Sequence, residues 1–206
     1  MTIAEMLARN ARMYPGDIAL IELRPGKNIR REITWQKFDE RANRVANALI
    51  DRGIDKGDKV IHLMMNSINW LEAYFGIIRT GAWAVPLNFR FTGKEIEYCA
   101  NIAEAKAMIL SEEFAERVEA IRWQLPSIKD YIFVGQNMPD GMEDFQDVIK
   151  KSSSQAPNVA LNDENACGLY FTSGTTGAPK PILLTHKNME NAAITENRHH
   201  NQTKKD

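Results

Sequence analysis

The stretch Val60–Leu87, VIHLMMNSINWLEAYFGIIRTGAWAVPL, decides the fold. Val60–Met65 is an apolar run of strand length, too short for a buried helix and bounded by polar residues. Ser67 then stands where a helix cap belongs, and Trp70, Leu71, Tyr74, Phe75 and Ile78 recur on one helical face before Gly81. Ala82–Leu87 is a second apolar run. Strand, helix and strand in that order make a crossover unit, which joins parallel neighbours in one sheet.

The same alternation extends in both directions. Downstream, Thr92 with Glu95 forms a capping box that opens a helix to about Ala103. Lys106–Leu110 follows as a strand, Glu112–Trp123 as a helix and Tyr131–Val134 as a strand. Upstream, a helix begins near Thr34 with Phe38, Ala42, Val45 and Leu49 on one face, and Gly53 closes it. Residues 18–23 and 29–34 are strands joined by Arg24-Pro25-Gly26-Lys27. Thr2 with Glu5 caps an opening helix bearing Ile3, Met6, Leu7 and Met13, which Pro15 stops. The expectation is an α/β fold, a mostly parallel sheet with flanking helices, followed by the start of a second subdomain. Ser152–Asn158 (SSSQAPN) reads as a linker. It divides an N-terminal subdomain, 1–151, from the start of another at 159–206. From Thr195 on the text is wholly polar and reads as frayed or solvent-facing.

Composition narrows the function classes. Lys plus Arg number 26 against 27 Asp plus Glu, a net charge of −1, so nothing electrostatic favours nucleic acid or an anionic membrane. The two cysteines, Cys99 and Cys167, lack metal-ligand spacing and read as structural thiols of a reduced protein. Glu5, Arg9 and Arg12 interrupt any leader-like apolar run at the N-terminus, and no segment is apolar over a membrane-spanning length. A cytoplasmic location is the default reading.

Chemistry concentrates in Leu169-Tyr170-Phe171-Thr172-Ser173-Gly174-Thr175-Thr176-Gly177-Ala178-Pro179-Lys180. An apolar strand, Leu169–Phe171, runs into six small residues, and a second, Ile182–Leu184, runs out. Gly174 and Gly177 allow positive φ, so backbone N–H groups can approach phosphate oxygens closely. Thr172, Ser173, Thr175 and Thr176 add hydroxyl donors, and Lys180 adds a point charge. The Walker form is excluded, because no lysine follows Gly177 directly and no Ser or Thr follows Lys180. Without a ligand, such a stretch is simply a Thr-rich hairpin turn.

The order T-S-G-T-T-G-x-P-K resembles the signature of the adenylate-forming enzymes, which include acyl-CoA synthetases, luciferases and peptide-synthetase adenylation domains. All positions from Leu169 to Lys180 fit it. Ile33–Ala46 is similar to the family's "T-Y-x-E-L-x-x-x-A-N-R-x-A" helix, and Gly76–Asn88 to its "G-x-x-x-A-G-x-x-x-V-P-L-N" segment. The resemblance spans roughly residues 2 to 192, and Pro86-Leu87-Asn88 with Phe89-Arg90-Phe91-Thr92 looks most like acyl-CoA synthetases. It implies that a carboxylate attacks the α-phosphate of ATP, releasing pyrophosphate, and that coenzyme A (CoA) then displaces AMP. Mg²⁺ accompanies the phosphates. Thr172, Ser173, Gly174, Thr175, Thr176, Gly177 and Lys180 would cradle the β- and γ-phosphates, and Lys180 would offset charge on the leaving pyrophosphate. None of these residues is assigned as a nucleophile, and no residue is assigned as a resident metal ligand.

Two departures bear on the expectation. Pro181 stands where the family usually has glycine; it removes an N–H donor and holds Lys180 extended. Members of the family are also well over twice this length, so this polypeptide alone is expected not to complete the reaction. It would expose apolar surface that favours self-association. A truncated, non-enzymatic relative serving as a nucleotide-binding or interaction module shares every motif, and an unrelated phosphate-binding domain shares the loop. Other conspicuous residues read as structural. His62 is expected as a hydrogen-bonded core histidine, and Trp35, Trp70, Trp83 and Trp123 as core or partner-covering residues. Thr185 is expected as a helix cap beside His186 and Asn188. His199-His200 belongs to the tail, and Glu112-Glu113 with Glu116-Arg117 forms a solvated helix face.

Overall fold

The structure is a computed structural model that describes residues 1–172 and 178–201. Helix α1 (Ile3–Met13) leads into an antiparallel pair, β1 (Ile18–Arg24) and β2 (Ile29–Thr34), and then α2 (Trp35–Ile50). The crossover units follow as β3 (Lys59–Leu63), α3 (Ile68–Arg79), β4 (Trp83–Pro86), α4 (Gly93–Ala103) and β5 (Ala107–Ser111). After these come α5 (Ala115–Glu119), β6 (Asp130–Val134), β7 (Glu143–Asp144), α6 (Phe145–Lys151), β8 (Ala166–Thr172), β9 (Lys180–Thr185) and α7 (His186–His199). The main sheet has seven strands in the order β7-β6-β5-β3-β4-β8-β9. Each neighbouring pair is parallel except β8 with β9. The expected α/β class with a mostly parallel sheet is what the chain adopts.

Parallel strands buried on both faces explain the uninterrupted apolar runs. Along β5, Ala107 and Ile109 face α2, α3 and α6, while Met108 and Leu110 face α4 and the α5 region. The local signals read from sequence hold. The capping boxes of α1 and α4 form, Ser67 caps α3 and Thr34 caps α2. Gly53, at φ +76°, closes a Schellman turn in which its N–H reaches Ile50 and that of Ile54 reaches Leu49. Gly76 lets α3 lie against α2: a Cβ there would stand 2.4 Å from Val45 Cβ.

Three local readings need correction. The expected helix Glu112–Trp123 is broken into a 3-10 turn, the short α5 and a second 3-10 turn at Arg122–Gln124. Its buried face survives as Phe114, Val118 and Ile121. Pro126 biases Leu125 away from helix, and the polar residues are drawn to neighbouring loops. Glu112 accepts from the Gln136 and Asn137 N–H groups, and Arg117 donates to the Phe89 and Phe91 carbonyls, so this is not merely a solvated face. Trp123 itself is exposed. Residues 195–199 face solvent as expected, and they do so as the last turn of α7, which continues to His199 beyond its last apolar residue.

The Ser-rich segment 152–158 has neither helix nor strand, yet α2 ties it down. Asn43 donates to the Ser154 carbonyl at 3.0 Å, Asn47 to those of Ser153 and Gln155 at 2.8 and 2.9 Å, and Arg44 to that of Ser152. Beyond it, β8 joins the first sheet through Ala84 and Gly168, so strands from both sides of the segment share one sheet. Ile182 and Leu183, on the outermost strand β9, are exposed apolar residues.

Candidate functional site

The loop singled out in the sequence leaves the sheet at the carboxyl end of β8 and returns as β9. Thr172 and Lys180 are register partners across the mouth of that hairpin, both exposed, and Thr172 Oγ1 lies 3.5 Å from the Lys180 carbonyl oxygen. Pro179 is buried, and Pro181, opposite Phe171, is the second residue of the return strand β9 at the sheet edge, where proline is tolerated. Ser173, Gly174, Thr175, Thr176 and Gly177 lie outside the described residues. Of the seven residues chosen from sequence, the structure therefore positions two, Thr172 and Lys180, side by side.

The carboxyl ends of parallel strands are where α/β sheets bind ligands, and a recess opens there beside the hairpin. It measures about 490 Å³ and lies past the ends of β3, β4 and β8. Met64, Met65, Trp70, Phe89 and Phe171 make it largely apolar, with Asn66 and Asn88 as polar points. Arg117, through its bonds to the Phe89 and Phe91 carbonyls at 3.1 and 2.6 Å, fixes the loop that supplies Phe89. Sequence reading did not find this recess, because its walls come from three strand ends far apart in the chain. The signal available was the position of Met64–Asn66 and Leu87–Phe89 immediately after parallel strands.

An aromatic column anchors the floor of this region. His62 lies 4.5 Å from Trp70, and Trp70 stacks on Tyr74 at 5.3 Å with their rings 7° apart. The Tyr74 hydroxyl meets that of Tyr170 at 2.8 Å, which ties α3 to β8 two residues before Thr172. Tyr170 folds back over Gly168, where a Cβ would stand 2.6 Å from its ring. Burial, reinforced by the pairing with Tyr170, pushes the Tyr74 hydroxyl far above its ordinary pKa, and burial also raises that of Tyr170. Both hydroxyls are neutral hydrogen-bonding groups.

One histidine, His62, differs from expectation. His62 is fully buried but has no hydrogen-bond partner among the described residues; aromatic packing holds it instead. Burial lowers its pKa to about 3. His186, the first residue of α7, is likewise buried with neither ring nitrogen partnered, and burial lowers it to about 4 against the opposing pull of Glu5 and Asp163. Thr185 does cap α7: its hydroxyl accepts from Asn188 N–H at 3.2 Å, and the Asn188 side chain accepts from Thr185 N–H at 2.9 Å. Cys99 and Cys167 are buried free thiols, pushed by burial up to about 12 and about 11, and carry no nucleophilic role. Among the described residues no group of three or more His, Cys, Asp or Glu is placed to hold a metal ion. None of the described helices is long and apolar enough to cross a membrane.

Known proteins carry the same plan. The sequence model for the AMP-binding enzyme family matches residues 7–206. A long-chain-fatty-acid–CoA ligase of Thermus thermophilus is 29% identical over 91% of this chain and 34% of its own length. One from Mycobacterium tuberculosis is 30% identical over 93% of this chain and 36% of its own. In three dimensions, the anthranilate–CoA ligase AuaEII, solved with anthranoyl-AMP, superposes with a TM-score of 0.87 at 31% identity, covering 94% of this chain and 36% of that one. The chain thus spans about a third of the length of these relatives. With nearly every residue inside the family match, the chain belongs to the AMP-binding enzyme family.

Proposed function

We propose that the chain is the N-terminal part of an ATP-dependent, AMP-forming acyl-CoA synthetase, with Thr172–Lys180 as its triphosphate grip. The observation that carries this reading is the hairpin mouth itself. Thr172 and Lys180 face each other in solvent at the carboxyl end of a parallel sheet, next to an apolar recess. In the reaction, a carboxylate oxygen bonds to the α-phosphorus of ATP as the bond to pyrophosphate breaks. The CoA sulfur then bonds to the acyl carbon, and AMP leaves. The part this chain plays is to bind and orient. The Thr172 hydroxyl and Lys180 ammonium, with Ser173, Gly174, Thr175, Thr176 and Gly177 between them, hold the β- and γ-phosphates and offset the charge gathering on pyrophosphate. Mg²⁺ belongs with the substrate, as part of the Mg–ATP complex.

Residues 159–206 are read as the opening of a second subdomain whose first hairpin adds to the sheet of 1–151, and a cytoplasmic setting accords with the two free thiols. The share of the relatives' length covered supports a chain that binds nucleotide but does not turn it over alone. Calorimetric titration with ATP and pyrophosphate tests the reading. Binding is expected, and Lys180→Ala should weaken it by about tenfold, about 1.4 kcal/mol. No pyrophosphate–ATP exchange should accompany it. Equal affinity in the variant, or exchange at the rate of an intact synthetase, would overturn the respective half.

A further inference from the structure

A group of cationic side chains lies between α2 and α6. Along α2, Lys37, Arg41 and Arg44 fall at steps of four and three, so they form one stripe beside the buried stripe Phe38, Ala42 and Val45. Across from them α6 contributes Gln146 and Lys150, also one turn apart. These side chains, with Ile149, line a recess of about 310 Å³, and no carboxylate lines it.

The charges are unequally compensated. Arg41 is spoken for: Glu72, fully buried, accepts from its Nε and, at 2.9 Å, from its Nη2. Arg41 also donates to Gln146 Oε1 at 2.9 Å, which leaves the Gln146 amide nitrogen available as a donor. Lys37 Nζ has Glu40 at 3.2 Å. Arg44 has only carbonyls, donating through Nη1 to Ile149 and Ser152, and Lys150 has no ion pair among the described residues. The carbonyls at the end of α6 offset part of the Arg44 charge, but they carry partial dipoles and not a full countercharge. About two positive charges therefore remain over a recess furnished with further N–H donors.

We propose that this recess is an anion site for a phosphate monoester dianion, separate from the loop 172–180. α6 packs against β6 and α2, whereas the loop leaves β8, four strand positions away. At about 4.8 Å per strand, β6 and β8 lie roughly 19 Å apart in the sheet.

The test is a ¹H–¹⁵N NMR titration of the chain at low ionic strength with inorganic phosphate and with glycerol 3-phosphate, with chloride as control. Saturable shifts are expected for the backbone amides of Lys37, Arg41, Arg44, Gln146 and Lys150, unchanged in Lys180→Ala. Lys150→Glu, at an exposed position with no ion pair among the described residues, should weaken binding about tenfold or more. Co-sedimentation with phosphatidic acid vesicles identifies the source. Vesicle binding without binding of the free esters assigns the site to a lipid headgroup, and binding of the free esters assigns it to a soluble one; both support the proposal if Lys150→Glu abolishes them. Shifts confined to Thr172 and Lys180, shifts matched by chloride, or affinity indifferent to Lys150→Glu would overturn it.

Discussion

His62 shows how burial alone sets the chemistry of a residue. It is enclosed by Trp70 and Tyr74 with no hydrogen-bond partner among the described residues, so the charged imidazolium has no acceptor there to replace its water. Its pKa falls to about 3 in the folded chain, and that of His186 to about 4, against an ordinary value of about 6.5 in the unfolded one. At pH above that ordinary value both states are neutral and the full stability is present. As pH falls below it, the unfolded chain binds protons that the native one refuses, so stability drops until the folded pKa is reached. Each histidine contributes at most about 1.4 kcal/mol per pH unit. Urea unfolding between pH ~7 and ~5 should show this slope, and His62→Phe should remove about half of it. A slope unchanged by His62→Phe would mean that His62 is not held neutral. Sequence placed His62 in a buried strand correctly, but it could not show that the neighbours are rings and not acceptors. That depends on α3 folding across β3.

At the scale of elements, the signals that were legible are those whose partners lie within one turn. The capping pairs Thr2–Glu5 and Thr92–Glu95 and the caps Thr34 and Ser67 satisfy themselves locally, while β3, β4, β5 and β6 are legible instead as apolar runs of strands buried on both faces. What was missed depends on distant contacts. β7 is two residues long and exists by pairing with β6, and α6 is a short helix held against α2. The 112–123 helix yields to the demands of the loops that Glu112 and Arg117 fasten. The α2–α3 contact is the tightest of these packings. Gly76→Ala would force a methyl to within 2.4 Å of Val45 Cβ and 3.1 Å of the Ala42 carbonyl oxygen. A loss of about 1–3 kcal/mol is expected by chemical denaturation, and Val45→Ala, which removes Cγ1 but keeps Cβ, should restore only part of it. A neutral Gly76→Ala would show that the two helices can separate freely.

For the molecule as a whole, the sheet gathers its candidate chemistry at one end. The loop was visible in sequence because its small residues and lysine are contiguous, and its ends, Thr172 and Lys180, meet at the hairpin mouth. The recess beside it was not visible, because Met64, Phe89 and Phe171 come together only when β3, β4 and β8 lie side by side. If the triphosphate grip is the purpose of this edge, ATP should report itself there. The most direct measurement is a titration of isotopically labelled chain with Mg–ATP, following backbone amides by NMR. The account predicts saturable shifts of the amides of Thr172 and Lys180, fading toward the recess at Phe89 and lost in Lys180→Ala. Saturable ATP binding that leaves both of those amides unmoved would contradict it.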